Sequence, residues 1–165
     1  MSLLSLCEWV QEFPSSIAIR ESTWGYPIIE TTHVLSMCLF LGLIIMMDLR
    51  LVGLGNLRTP FSRIQARLFP WQMFGLAMSV TTGIVLVYTE PLRFYGNVFF
   101  WIKSGLLVLA GANAIIFHLT TYRSVADWDA ESRTPFGARL AGALSLALWA
   151  GIVVSGRLIA YNWFD

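Results

Sequence analysis

Glu30 and His33 stand three residues apart inside an otherwise apolar run, IIETTHVLSMCLFLGLIIMM. On a helix, that spacing lets a carboxylate reach an imidazole on the same face and orient it. The other ring nitrogen is then available to bind a ligand or relay a proton. At about 100° per residue, Glu30, Met37 and Asp48 all fall within roughly 60° of His33, so this helix carries one polar stripe. A second apolar run holds Lys103 and His118, also about 60° apart in helical phase. Ionisable groups inside apolar spans are expensive to bury and therefore count as candidate functional groups. Arg157, Arg139, Gln72 and Asn113 complete the set.

These residues need helices long enough to cross a bilayer, and about 20 apolar residues suffice. Four segments qualify: roughly Ile28 to Met47, Trp71 to Tyr88, Phe99 to His118 and Leu140 to Ala160. Pro70 and Pro135 stand just ahead of the second and fourth, where proline suits a first helical turn. Pro91 helps end the second span, and Pro27 can kink the first if its helix begins near Ser16. Before the spans, Leu3, Leu6, Val10, Phe13 and Ile17 recur at helical spacing. This pattern predicts an amphipathic N-terminal segment over residues 1–26, broken near Pro14. It either lies on the membrane surface or caps the bundle of residues 27–165. The stretch lacks the basic start of a cleaved signal peptide.

Depth sorts the polar residues into two clusters. Spans one and three run parallel, with His33 early in one and His118 at the end of the other. At 1.5 Å per residue the histidines are separated by roughly 20 Å. One haem iron cannot bridge that distance, since each Fe–N bond is only about 2 Å long. A haem would need a single histidine, a methionine partner or pairing between protomers. One cluster therefore groups His33 and Glu30 with Lys103, Tyr88 and Arg157. The other groups His118 with Asp48, Gln72 and Arg139. Both compositions suit a buried pocket and equally an ion-paired structural lock. Snorkelling toward the interface is a third account of Arg157 and Arg139.

The composition agrees with a membrane-embedded unit. Of 165 residues, 56% are hydrophobic and only 13% charged, with seven Trp and eleven Phe; the mean hydropathy is +0.66. A formal charge of +1 supplies no basic excess for neutralising nucleic-acid phosphates. Cys7 and Cys38 with two histidines match no zinc spacing. Hydrolase, phosphate-loop and dinucleotide signatures are absent from the sequence. Arg50, Arg58, Arg63 and Arg67 crowd the first connection, and Arg123, Arg133 and Arg139 the third. By the positive-inside rule both connections face the cytoplasm and both termini lie outside. Gly75-x-x-x-Ser79-x-x-x-Gly83 places small residues on one face of the second span, where another helix can approach closely.

The order of motifs resembles a known family. Ile19-Arg20-Glu21-Ser22-x-Trp24-x-x-Pro27-x-x-Glu30-x-x-His33, Asp48-Leu49-Arg50, Phe69-Pro70-Trp71, Phe117-His118, Arg139-Leu140-Ala141-Gly142 and Gly156-Arg157 are similar to small bacterial four-helix membrane proteins known only as a domain of unknown function. The resemblance implies a bacterial inner-membrane location and four helices. A looser likeness to b-type cytochromes and copper-resistance D bundles rests on helix count and membrane histidines alone.

These observations predict an all-α four-transmembrane-helix bundle serving as an accessory subunit or binding protein, without catalytic activity of its own. Haem or quinone is the expected type of cofactor, held for electron transfer. His33, Glu30, Lys103, Arg157, His118, Asp48 and Arg139 are the expected binding residues. A membrane redox partner or a second copy of the chain is the expected protein contact, besides lipid. A small transporter or ion-handling protein is the competing class, and a purely structural partner the third.

Overall fold

A computed structural model of the chain describes residues 2–55, 58–129 and 134–161, and every regular element among them is helical. Two short helices come first, α1 (Leu3–Gln11) and α2 (Pro14–Glu21). The long helices are α3 (Gly25–Val52), α4 (Phe61–Thr89), α6 (Val98–Leu119) and α8 (Phe136–Leu158). A single-turn α5 (Pro91–Tyr95) joins α4 to α6, while a 3-10 turn (Thr121–Ser124) and α7 (Val125–Trp128) follow α6. Four helical stretches are long and apolar enough to cross a membrane. Arg133, Glu131 and Trp163 lie outside the described residues.

Local chemistry sets most of the boundaries. The Ser2 hydroxyl caps α1 by accepting from the Ser5 N–H at 3.2 Å. Pro14 occupies the first turn of α2, so the N-terminal segment divides where its missing N–H costs least. Gly53 ends α3 with φ at 92°, a left-handed conformation that glycine adopts without penalty. Asn97 caps α6 through its side-chain oxygen, 2.9 Å from the Phe99 N–H.

Two proline expectations need correction. Pro70 does not open the second span; α4 begins at Phe61 and carries Pro70 in its interior. The reason lies across the bundle. The Asp129 carboxylate accepts from the Ser62 N–H at 2.9 Å and also from the Ser62 hydroxyl, satisfying the first turn from a distant segment. Pro27 lies in the first turn of α3, where it removes no helical hydrogen bond, because α2 ends separately at Glu21.

α3 is the centre of the bundle. It packs against α4 on one side and α8 on the other, and α8 in turn packs against α6. Glycines permit the closest approaches, as the second-span pattern predicts. A Cβ on Gly75 would stand 3.1 Å from the Phe40 backbone nitrogen and 3.2 Å from the Ser36 carbonyl oxygen. On Gly142 it would stand 3.1 Å from the Asp48 carbonyl oxygen. α4 and α6, by contrast, do not pack extensively against each other. The helices form an arc ordered α4–α3–α8–α6 with a slot between its ends. α6 buries only Ala110 and Phe117, leaving Val108, Ile115 and Ile116 exposed on a face suited to hydrocarbon.

One end of the arc is closed by Met47, Leu51, Phe61, Phe117 and Trp128. Arg50 is buried there, donating to the Thr59 carbonyl at 3.3 Å and the Thr134 hydroxyl at 3.2 Å. At the opposite end α2 docks on α4. Ser16 donates to the Tyr88 and Thr89 carbonyls, and Arg20 to the Thr89 carbonyl at 3.2 Å. These bonds satisfy C-terminal carbonyls that α4 cannot satisfy itself.

Candidate functional site

The slot holds two cavities, each lined from α3, α4, α6 and α8. The first has a volume of about 390 Å³ and is lined mainly by aliphatic and aromatic side chains. His33 enters it from α3. Its Nδ1 lies 2.9 Å from the Ser79 carbonyl oxygen and 3.0 Å from the Thr82 hydroxyl. A carbonyl can only accept, so Nδ1 carries the proton. Thr82 spends its own hydrogen on the Met78 carbonyl at 2.7 Å and receives from the imidazole. The tautomer follows: Nε2 is a lone-pair acceptor, and no described residue bonds to it. Gly83 makes room for the ring, since a Cβ there would stand 3.2 Å from His33 Cε1.

Lys103 enters the same cavity from α6. Its stem and ammonium run along Gly156, where a Cβ would stand 3.5 Å from Nζ. Among the described residues Lys103 has no hydrogen-bond or ion-pair partner. The cavity therefore combines one exposed base nitrogen and one unpaired cation with apolar walls. Outside the span, the Glu90 carboxylate accepts from Arg93 at 2.7 Å and from the Tyr26 hydroxyl at 3.0 Å. That carboxylate holds the Arg93 guanidinium above its ordinary pKa.

The second cavity, of about 290 Å³, is lined by Asp48, Gln65, Gln72, Asn113, His118 and Ser145 among apolar neighbours. His118 donates from Nδ1 to the Ala114 carbonyl at 2.8 Å, which leaves Nε2 as an acceptor. Gln65 Nε2 occupies that acceptor at 3.1 Å. Both ring nitrogens of His118 are thus engaged, unlike those of His33.

The two cavities meet at Phe40, Leu76, Leu107 and Trp149, which line both. Phe40 and Trp149 pack edge to face with centroids 5.0 Å apart, forming an apolar waist. His33 and His118 therefore sit in different compartments, in keeping with their separation in depth. No group of three or more His, Cys, Asp or Glu side chains among the described residues could hold a metal ion.

A model of a family of unknown function (DUF6644) matches residues 21–162. The chain belongs to that family. No curated protein and no solved structure matches it. The match begins within α2 and takes in the four long helices, so both cavities lie inside the region the family defines.

Within this family member, three of the expected site residues stand apart from the cavities. Glu30 is exposed and does not bond to His33, whose Nδ1 is committed to α4 instead. The three-residue spacing permits a contact with Glu30, but the imidazole proton goes to the Ser79 carbonyl at 2.9 Å. Arg157 is exposed on α8 and folds back on Tyr161, with its guanidinium carbon 5.4 Å from the ring centroid. Arg139 is exposed near the start of α8 and lines neither cavity. Both arginines fit the snorkelling account. Tyr88 bonds to Ser15 of α2 at 2.6 Å rather than to the His33 group.

Three residues not expected at the site contribute to it: Thr82, Gln65 and Ser145. The polar stripe Gln65, Gln72 and Ser79 at intervals of seven on α4 carries a usable signal, because seven residues make nearly two full turns. Starting the span at Trp71 hid its first member.

Proposed function

We propose that this chain is an integral membrane binding protein that holds a lipophilic carrier of quinone type in the His33–Lys103 cavity. It would act as an accessory subunit in electron transfer in the bacterial inner membrane, with both termini outside. One observation carries the reading. An apolar cavity lined from four helices presents a lone-pair nitrogen and an unpaired ammonium, and little other polarity. A ring bearing two oxygens suits that pair. Lys103 can donate to a carbonyl oxygen, and His33 Nε2 can accept from a hydroxyl of the reduced form. Apolar walls with a few placed polar groups are the usual makeup of a small-molecule site. The slot between α4 and α6 gives an isoprenoid tail a route into lipid.

Haem is less well supported. His33 Nε2 could serve as one axial ligand, but Met37 stands one turn along the same helix face, and His118 has no nitrogen to spare. The test is to purify the protein in mild detergent, extract it with organic solvent and measure quinone against phospholipid. Retention near one quinone per chain, lost in Lys103→Met and His33→Ala, is expected. Quinone no richer than in the bulk membrane extract would overturn the reading, and a Soret band abolished by His33→Ala would favour haem instead.

A further inference from the structure

The second cavity has an uncommon arrangement of amides. Gln65 donates its Nε2 to His118, Gln72 donates its Nε2 to the Met47 thioether at 2.9 Å, and Asn113 donates its Nδ2 to the Ala141 carbonyl at 3.0 Å. The chemistry of the partners fixes these assignments. A carbonyl and a thioether only accept, and His118 has already spent its proton on Ala114. Each amide is therefore held by its nitrogen and presents its oxygen, and none of the three oxygens accepts from a described residue.

Asp48 joins them from α3. It is 6% exposed, and its Oδ2 is buried without a partner; so is Oε1 of Gln65, a residue 8% exposed. The Ser145 hydroxyl lies beside the Asp48 carboxyl from α8. Oxygens from four helices thus surround one cavity with a single carboxyl among them, and no cation among the described residues is paired with it. Asp48 Oδ2 and Gln65 Oε1, buried without a partner, cost free energy that a bound ligand would recover. An anion would face the Asp48 carboxyl with no cation among the described residues to offset it. A divalent ion normally draws on several carboxylates, and a transition metal on free imidazole or thiolate. Neutral oxygens with one carboxylate match a single positive charge in a hard, oxygen-seeking ion.

We propose that the Asp48 cavity binds one monovalent cation, coordinated by Asp48 with the side-chain oxygens of Gln65, Gln72, Asn113 and Ser145. His118 is a positioning residue in this site, turning the Gln65 oxygen inward by holding its nitrogen. The proposal does not depend on the occupant of the His33 cavity.

The purified full chain in detergent would be heated in sodium, potassium or ammonium chloride, with choline chloride at equal ionic strength as the control. At least one of the three ions should give a saturable rise in Tm of about 2 °C or more over choline. Asp48→Asn should abolish the rise, and Asn113→Leu should shift its midpoint to at least about tenfold higher salt. Equal transitions in all four salts, or a rise that survives Asp48→Asn, would overturn the site. Equilibrium dialysis of the unaltered protein against the radiolabelled ion guards against Asp48→Asn failing to fold. Binding near one ion per chain supports the proposal, and none overturns it.

Discussion

The two cavities share four boundary residues and the same four helices, yet they present opposite chemistry. On the His33 side the free groups are a base nitrogen and an ammonium. On the Asp48 side they are oxygens around one carboxyl. In both, a hydrogen bond to the protein frame decides which atom is left for a ligand. The Ser79 carbonyl takes the His33 Nδ1 proton and so exposes Nε2. Three acceptors take amide N–H groups and so expose amide oxygens. The histidines differ for the same reason: His118 is spent on orienting Gln65, whereas His33 is oriented by α4 and remains available. A buried ionisable residue alone therefore says little about its role, and its second partner says most.

The largest expected effect comes from Lys103→Met, which keeps the apolar stem and removes the charge. A hydrogen bond to a charged group contributes about 1.5–3 kcal/mol, so quinone affinity should fall by roughly 10- to 100-fold. The Asp48 cavity should keep its response to salt. Measured by titrating a short-chain quinone analogue, unchanged affinity would dissolve the contrast between the cavities.

Gly75→Val tests the frame common to both. Its Cβ would meet backbone atoms of Phe40 and Ser36, which cannot rotate away. Overpacking of this kind costs about 1–3 kcal/mol, and both cavities should lose their ligands together as the thermal transition drops. Loss at one cavity alone would mean that α3 and α4 can separate locally.

Much of this frame was legible in the sequence. Four apolar runs gave the helices, and the small-residue pattern Gly75, Ser79 and Gly83 marked the face of α4 that meets α3. The assignment of His33 and His118 to separate compartments followed from helical rise alone. The arc was not legible, because periodicity reports which face is apolar without saying which neighbour it meets. α6 is apolar nearly all round, so its sparse packing against α4 left no trace in the pattern. Glu30 misled because spacing shows what can meet on one helix and ignores a better acceptor on the next. Gln65 was missed because α4 runs through Pro70, an extension supported by Asp129 from a distant segment.

Thr82→Val is expected to act more gently. It removes one of two acceptors for His33 Nδ1 while the Ser79 carbonyl at 2.9 Å keeps the tautomer. Quinone affinity should fall by about 0.5–1.5 kcal/mol, the worth of one neutral hydrogen bond. Ser79→Ala should change it hardly at all, because the backbone oxygen, not the side chain, holds the ring. A larger loss in Ser79→Ala than in Thr82→Val would reassign the group that orients His33.

The smallest expected quantity is the coupling between the compartments. His33 and His118 share no hydrogen-bond partner, and the Phe40–Trp149 waist stands between their cavities. Distant sites without shared partners add within about 0.5 kcal/mol. In a cycle of His33→Ala, His118→Ala and the double variant, thermal destabilisation should be additive to that margin. Quinone retention should follow His33 alone, and the salt-dependent shift should follow His118 alone. The waist is the one place where this can fail. If occupying one cavity turns Trp149 or Phe40, the partner cavity changes shape, and coupling of about 1 kcal/mol or more would appear. Repeating the cycle with Trp149→Phe separates the two cases. Coupling that vanishes in that background runs through the ring, and coupling that persists means that the compartments form a single site.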